Sequence, residues 1–352
     1  MIASSSKTKT IWQRADRLPI CRSMTAYSLL DLVPIIQGGT ASQALANAAD
    51  LAKHVEGLGY TRYWVAEHHG MDGIASAATA VVIAHVGQAT STIRVGAGGI
   101  MLPNHSPLQV AEQFGTLDAL FPGRIDLGLG RAPGSDQRVS AAIRRGLDSD
   151  GNEFPRDVQE LQSYFADDGR TGIRATPGAG AKVDLWILGS SLFGAQLAAM
   201  LGLPYAFASH FAPGLLDQAI EMYRRNFRPS DVLEKPHLML GFNVFAADTD
   251  EEAELLASSQ QQAFVAIRTT GKGIQLPPPV PGYRASLGGQ GNAMLDQVLS
   301  ASAIGGPEKI REQLAAFIQR TGADELMLTS AMFDHDARRK SLTLAAEAMR
   351  GL

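Results

Sequence analysis

RVGAGGIMLPNHSPLQVAEQFGTLDALFPGRIDLGLGRAPG, residues Arg94–Gly134, reads as strand, Gly-rich turn, helix, tight turn, strand and a second Gly-rich turn. Arg94–Gly98 and Ile125–Leu129 are the apolar runs. Each ends in glycine followed by polar or charged residues: Gly99, Met101, Asn104 and His105 after the first, Gly130, Arg131, Pro133, Gly134 and Asp136 after the second. Parallel α/β enzymes build pockets in this way, from loops at the carboxyl ends of neighbouring strands. The helix between them is expected to begin near Pro107, whose fixed φ suits a first helical turn. It should stop before Phe121-Pro122-Gly123, because Pro cannot continue a helix and Gly permits the exit turn.

The same alternation extends in both directions. Strand signals occur at Met24–Leu30, Arg62–Ala66, Asp184–Leu188, Tyr205–Ala208, Leu238–Ala246 and Glu325–Thr329, in addition to the two above. Helical spacing follows most of them, as in Ser42–Leu58 with Ser42 as cap, Ser76–Ala89, Leu192–Leu201 and Asp250–Ile267 with its acidic first turn. Eight strand–helix units predict a single (β/α)8 barrel, the TIM-barrel fold, with working residues at the C-terminal strand ends. An open, doubly wound sheet is the competing reading. The segment Thr270–Gly291 is rich in Pro and Gly and reads as irregular. It is taken as an insertion over the barrel mouth, spanning about residues 270–300. Residues 1–22 read as a flexible extension ahead of a domain over 23–352.

Composition removes several functions. With a net charge of -4 and scattered Lys and Arg, the chain lacks a nucleic-acid footprint. Cys21 is the single cysteine, so neither an internal disulfide nor a multi-cysteine zinc site can form. No apolar run reaches the roughly 18–20 residues of a membrane span. A cytoplasmic protein with no membrane contact is expected.

The strand ends collect the polar groups: Glu67, His68 and His69; Asn104 and His105; Arg131; Ser190 and Ser191; Ser209 and His210. His68 and His69 are adjacent in an extended segment, so one should enter the barrel mouth and the other point away. A histidine there suits proton transfer near neutral pH, although a structural histidine bonded to a carbonyl is equally compatible. Glu67, His68, His105 and His210 lack a tight ligand spacing such as HExxH, so no metal is expected. Ser190 and Ser191 precede the helix at Leu192. Its unpaired N–H groups and two hydroxyls could receive a phosphate, though Ser is also an ordinary helix cap. Arg131, one strand away, would add the full positive charge. GLGRAPG is no dinucleotide fingerprint, since Pro133 and a long polar loop follow instead of a packed helix.

Four segments in this order carry a resemblance: YWVAEHH at Tyr63–His69, the block Val95–Gly134, LGSS at Leu188–Ser191 and DELMLTSAMFDH at Asp324–His335. The chain resembles the bacterial luciferase-like flavin-dependent monooxygenases, closest to the branch typified by YhbW, from about Thr25 to the final helix. The resemblance implies a barrel that binds reduced FMN, delivered by a separate flavin reductase, and uses oxygen to oxygenate a small organic substrate. By position His68 matches the family's active-site histidine, which assists proton transfer at the flavin. Ala97 and Gly98 match the pair beneath the ring, where a non-prolyl cis peptide is typical. Arg131, Ser190 and Ser191 match the phosphate contacts. Leu29, Met101 and Trp64 are candidates to bury the ring, with core packing the alternative for Trp64; the segment near Leu276–Pro281 would close over it. Gly130 stands at the reactive cysteine of true luciferase and Ser190 at its acidic residue, so the resemblance does not extend to light emission. Alternatives are hydride transfer with FMN or F420 and no oxygen insertion, a non-catalytic flavin-binding protein, or a sugar-phosphate barrel enzyme. The Ala-rich stretches Ala44–Ala52 and Ser76–Ala89 could pack closely in a homodimer.

Overall fold

Successive side chains leave a strand on opposite faces, and in this chain that alternation builds two concentric cores. A computed structural model describes residues 24–131, 137–143 and 151–352. The extension 1–22, Cys21 and the loop residues Pro133, Gly134 and Asp136 lie outside the described residues. The strands are β1 (Ala26–Asp31), β2 (Arg62–Val65), β3 (Arg94–Met101), β4 (Ile125–Gly130) and β5 (Asp184–Gly189). They continue with β6 (Tyr205–Phe207), β7 (Leu238–Ala246), β8 (Ser302–Gly305) and β9 (Glu325–Thr329). β1 to β6 pair in sequence, β9 pairs with β1 and β7, and β6 closes on β7. Every pairing between these strands is parallel, so eight strands form a closed (β/α)8 barrel.

Leu29, Tyr63, Val65, Ala97, Leu127, Ile187, Phe207, Leu240 and Leu328 face outward into the core beneath the helices. Their neighbours Leu30, Trp64, Ala66, Trp186, Ala206, Met239 and Met327 fill the barrel interior. Trp64 and Trp186 meet edge to face at 5.2 Å between ring centroids. Below this layer, toward the N-terminal ends of the strands, lies a charged floor. Arg62 Nη1 is 2.9 Å from Asp126 Oδ1 and Arg62 Nε is 3.1 Å from Glu325 Oε1. Arg94 Nη2 joins Asp126 Oδ1 to Asp184 Oδ2, each at 2.6 Å. Trp64 Nε1 donates to Asp126 Oδ2 at 2.9 Å.

The helices that lie against the barrel start and stop on local chemistry. α1 (Ala41–Gly57) is capped by Thr40, whose hydroxyl accepts from Gln43 N at 3.2 Å; the cap is Thr40, not Ser42. α2 (Thr79–Ala89) begins three residues later than its spacing suggests, because Ser76 is buried and donates to Ala66 O at 2.6 Å. α3 (Pro107–Leu120) opens on Pro107 and ends at Phe121, as its sequence requires. α4 (Gln137–Ile143) and α5 (Phe154–Ala166) lie in the connection after β4. α6 (Leu192–Leu201) and α7 (Leu216–Asn226) follow β5 and β6. α8 (Asp250–Thr270) is capped by Thr249. α9 (Tyr283–Ser286) and α10 (Gly289–Val298) lie within the expected insertion, and α11 (Pro307–Thr321) and α12 (His335–Met349) complete the set.

Two features depart from the sequence reading. The insertion is partly helical: α9 and α10 pack Tyr283, Leu287 and Leu295 with Phe264 of α8. A ninth strand, β8, runs parallel to the far end of β7, pairing Asn243–Ala246 with Ser302–Gly305. Asn243 is matched with both Ser302 and Thr329, so β8 lies on the side of β7 opposite β9. Four residues ending in Gly carry little strand signal of their own.

Candidate active site

The inward-facing positions that fill the barrel continue past the strand ends and become the wall of a cavity of about 870 Å³. Trp64 and Ala66 lead to His68, Ala206 leads to Ala208 and His210, and Met327 leads to Thr329 and Ala331. The cavity therefore opens at the C-terminal mouth, as parallel strands dictate. The expected division of the histidine pair is met. His68 lines the cavity, whereas the odd-numbered neighbours turn away from it.

Glu67 explains where His69 and His105 go. Its carboxylate is 1% exposed and takes Met101 N at 2.9 Å on one oxygen, His69 Nε2 at 2.7 Å and His105 Nε2 at 2.9 Å on the other. Burial alone would raise the Glu67 pKa, but the hydrogen bonds and charge from His105, with Met101 N and His69, hold it below its ordinary value. Neither His69 nor His105 lines the cavity. Among the described residues no three His, Cys, Asp or Glu side chains come together as metal ligands.

Arg131 and Ser190 and Ser191 stand together on the cavity wall. The Arg131 guanidinium lies 4.1 Å from the centroid of Phe193, in the first turn of α6. Ser191 is the N-cap residue of α6, yet its hydroxyl makes no capping hydrogen bond. The first amides of α6 thus keep their capacity to bind an anion. A guanidinium, two hydroxyls and an open helix start are a suitable grip for a phosphate.

Along β3 the wall is bare backbone. Gly98 and Gly99 line the cavity, whereas Ala97 points the other way and is wholly buried in the outer core. The non-prolyl cis peptide joins Gly98 to Gly99, not Ala97 to Gly98. The match assigned to Ala97-Gly98 is therefore displaced by one residue. A Cβ on Gly98 would lie 2.8 Å from Trp64 Cε3 and 2.9 Å from Leu30 Cδ1. Leu29 belongs to the outer core, and Leu30 and Leu32 line the cavity in its place. Trp64 packs in the barrel interior, and Met101 does reach the cavity.

Three loops roof the mouth. Ile35 N donates to Gly73 O at 2.9 Å, Leu276 N to Ile35 O at 2.9 Å and Gln37 N to Leu276 O at 2.8 Å. Gly273, Ile274 and Leu276 line the cavity, while Pro277–Pro281 do not. The cover is the start of the expected segment, held by backbone pairing with the loops after β1 and β2.

His210, which the sequence placed among the strand-end polar groups without giving it a role, belongs to the site as well. It lines the cavity, and burial together with the charge of His68 pushes its pKa down to about 4. Its Nδ1 packs against Gly241 of β7, where a Cβ would lie only 2.0 Å away. Asn243 Nδ2 fixes the loop by donating to His210 O at 2.8 Å and to Ser302 Oγ at 3.0 Å. The available signal was the even spacing Ala206, Ala208, His210, extended beyond the apolar run.

A closed parallel barrel with an apolar cavity at its C-terminal mouth, two histidines in the wall and a cationic corner at a helix start is the construction of a barrel enzyme. The chain belongs to the luciferase-like monooxygenase family, whose model matches residues 29–325. A luciferase-like monooxygenase of Escherichia coli K12 is 52% identical over 328 residues, covering 93% of this chain and 98% of that protein. The N-acetyl-S-alkylcysteine monooxygenase of Bacillus subtilis is 36% identical over 253 residues, covering 70% of this chain and 75% of its own. Among solved structures, apo-MsnO8 superposes with a TM-score of 0.82 at 34% identity, covering 93% of this chain and 98% of that one. The oxygenating constituent of 3,6-diketocamphane monooxygenase from Pseudomonas putida, solved with FMN, gives 0.68 at 17% identity over 92% and 98% of the two chains. An F420-dependent secondary alcohol dehydrogenase gives 0.68 at 16% identity over 93% and 100%. These last two likenesses are of fold.

Proposed function

We propose that the chain is a monooxygenase that takes up reduced FMN from a separate flavin reductase and uses oxygen to oxygenate a small organic substrate. The observation that carries this reading is the convergence of Arg131, Ser190 and Ser191 on the open start of α6, at one side of an apolar cavity with a bare backbone wall. The phosphate would be held there, and the flat ring system would rest by Gly98 and Gly99, where no side chain intrudes. Phe193 braces Arg131 by stacking beneath it, so the guanidinium meets the phosphate already ordered. FMN, when bound, supplies the activation of oxygen. The protein's own work is to exclude water through the roof at Ile35, Gly73 and Leu276, and to hold or move a proton at the His68 imidazole. The proposed location is cytoplasmic. A homodimer is proposed through α2, which leaves Val81 70% exposed.

Titration of the purified protein with FMN and with riboflavin tests the reading. FMN should bind in the micromolar range, and Arg131→Ala should weaken it by about 10–100-fold, as expected for loss of a charge-assisted contact. Riboflavin, which lacks the phosphate, should bind the two proteins equally. Failure to bind FMN in either redox state would remove this function. Substrate turnover by the FMN-loaded protein without oxygen would instead select hydride transfer.

A further inference from the structure

Thioether sulfur is readily oxidised, and the cavity brings two such sulfurs to the place where the preceding reading puts the flavin. Among the described lining residues the thioethers are those of Met71 and Met101. The lining also holds Asn243, Gln260 and Thr329, whose amides and hydroxyl hydrogen peroxide leaves intact at neutral pH. A thioether it converts to the sulfoxide. Peroxide formed inside the cavity therefore meets its reactive partners at these two sulfurs.

Position separates the two. Met101 ends β3, the strand whose Gly98 and Gly99 give the bare wall, and lies two residues past Gly99, about 7 Å along an extended backbone. Its N–H donates to Glu67 Oε2 at 2.9 Å, so its backbone is fixed beside that wall. Its Sδ lies 3.0 Å from where a Cβ on Gly130 would stand, so the sulfur has a glycine rather than a side chain as its neighbour there. Met71 belongs with the roof, its Sδ 3.3 Å from the corresponding position on Gly273. Met239 and Met327 are sealed in the barrel interior, and Met24 and Met200 lie on the outer surface, 71% and 50% exposed. The chain thus carries methionines beside the proposed flavin, beneath it and outside.

We propose that Met101 is a modification site: its thioether takes an oxygen atom from hydrogen peroxide released at the bound flavin when no organic substrate is present, and the resulting sulfoxide loosens FMN. The proposal rests on the flavin reading. O2 takes two electrons and two protons from reduced FMN, leaving oxidised FMN and H2O2. The Met101 sulfur lone pair attacks one peroxide oxygen, and the S–O bond forms as the O–O bond breaks. The departing hydroxide takes the proton of the transferred OH and leaves as water. Sulfur is oxidised by two electrons and the peroxide is reduced by two. The sulfoxide dipole then stands in an apolar wall against the ring, cut off from the water that would solvate it.

In the test, the full chain with FMN is cycled with NADH, a flavin reductase and oxygen, without organic substrate. Catalase in the solution destroys any peroxide that escapes. Peptide mass mapping then reads the oxygen added at each methionine. Met101 should gain oxygen at least about fivefold faster than Met24 or Met200, while Met239 and Met327 stay unmodified. Bulk hydrogen peroxide without FMN should reverse that order, because exposure then governs the rate. Protein modified at Met101 should bind FMN about tenfold more weakly, the cost of one unsatisfied polar group. Methionine sulfoxide reductases of both epimer specificities should restore the affinity. Met101→Leu taken through the same cycles should keep the FMN affinity it began with. In a protein that binds FMN, no added oxygen at Met101, oxygen at Met71, Met24 or Met200 ahead of it, or a sulfoxide at Met101 with unchanged FMN affinity would overturn the proposal alone. A wild-type protein that takes up no FMN would overturn the flavin reading itself.

Discussion

At the N-terminal end of the barrel, Arg62, Arg94, Asp126, Asp184 and Glu325 meet in a closed set of ion pairs, with Trp64 Nε1 completing the shell of Asp126. At the C-terminal end, Arg131 stacks on a phenyl ring and His210 Nδ1 rests on a glycine. Both ends are built from the same strands and the same inward positions. The difference lies in how their charges are answered. Asp126 is fully buried and Arg62 only 12% exposed, so those groups must neutralise one another or the barrel would not close around them. The mouth borders a cavity, so its polar groups can wait for a ligand. Saturated charge holds shape here, and unsaturated charge marks where something binds.

The sharpest way to break this contrast is at the floor. Asp126→Leu leaves Arg62 facing Glu325 alone, strips Arg94 of one partner and orphans Trp64 Nε1. It should cost about 3–5 kcal/mol in urea unfolding, the range for stranding a buried charge. A loss below about 1 kcal/mol would show that the floor does not carry the fold. At the mouth, His68→Ala should lower substrate turnover by about 100-fold or more, the usual contribution of a positioned proton-transfer group. FMN affinity and thermal stability should hardly change. Wild-type turnover by this variant would remove His68 from the proton path.

Glu67 sharpens the contrast, because it sits at the mouth yet is saturated like the floor. Its pKa is held below the ordinary 4.5 in the folded protein, so the unfolded chain takes up its proton first. The stabilisation is then fully present above about pH 4.5 and is lost as pH falls through the folded value. Glu67→Gln should be less stable than the wild type at pH 7, and the gap in melting temperature should close only below about pH 4.5. A gap that persists at pH 3 would contradict this assignment. The smallest effect is expected at Arg131. Its replacement by Ala should change unfolding free energy by no more than about 0.5 kcal/mol while FMN binding falls, since surface residues outside saturated networks contribute little. A loss of several kcal/mol would place Arg131 with the floor.

Much of the molecule can be read from the chain because the signals are local. The apolar runs alternating with helical spacing predicted eight barrel strands, and Pro107 and Phe121 bounded α3 where they should. Alternation required one of the adjacent histidines to enter the mouth and the other to leave it; in the structure His68 is inside and His69 bonds to Glu67. Where a signal was short or depended on pairing, the reading failed. β8 has four residues and exists through its ladder with β7. α10 opens in a Gly-rich run and is held by packing on Phe264. Ala97 was carried as a ring contact by positional match, but strand parity turns it into the outer core.

By itself the sequence determined the order and number of the barrel's own strand–helix units, and that alternate residues of each strand face opposite ways. Both follow from periods of two and about 3.6 residues, which need no distant partner. Tertiary structure decided what meets across the barrel: His210 of the β6 end near His68 of the β2 end, Arg131 against Phe193, and three loops paired over the mouth. Those meetings depend on closure and on the stagger between strands, which arise only when all eight strands are in place.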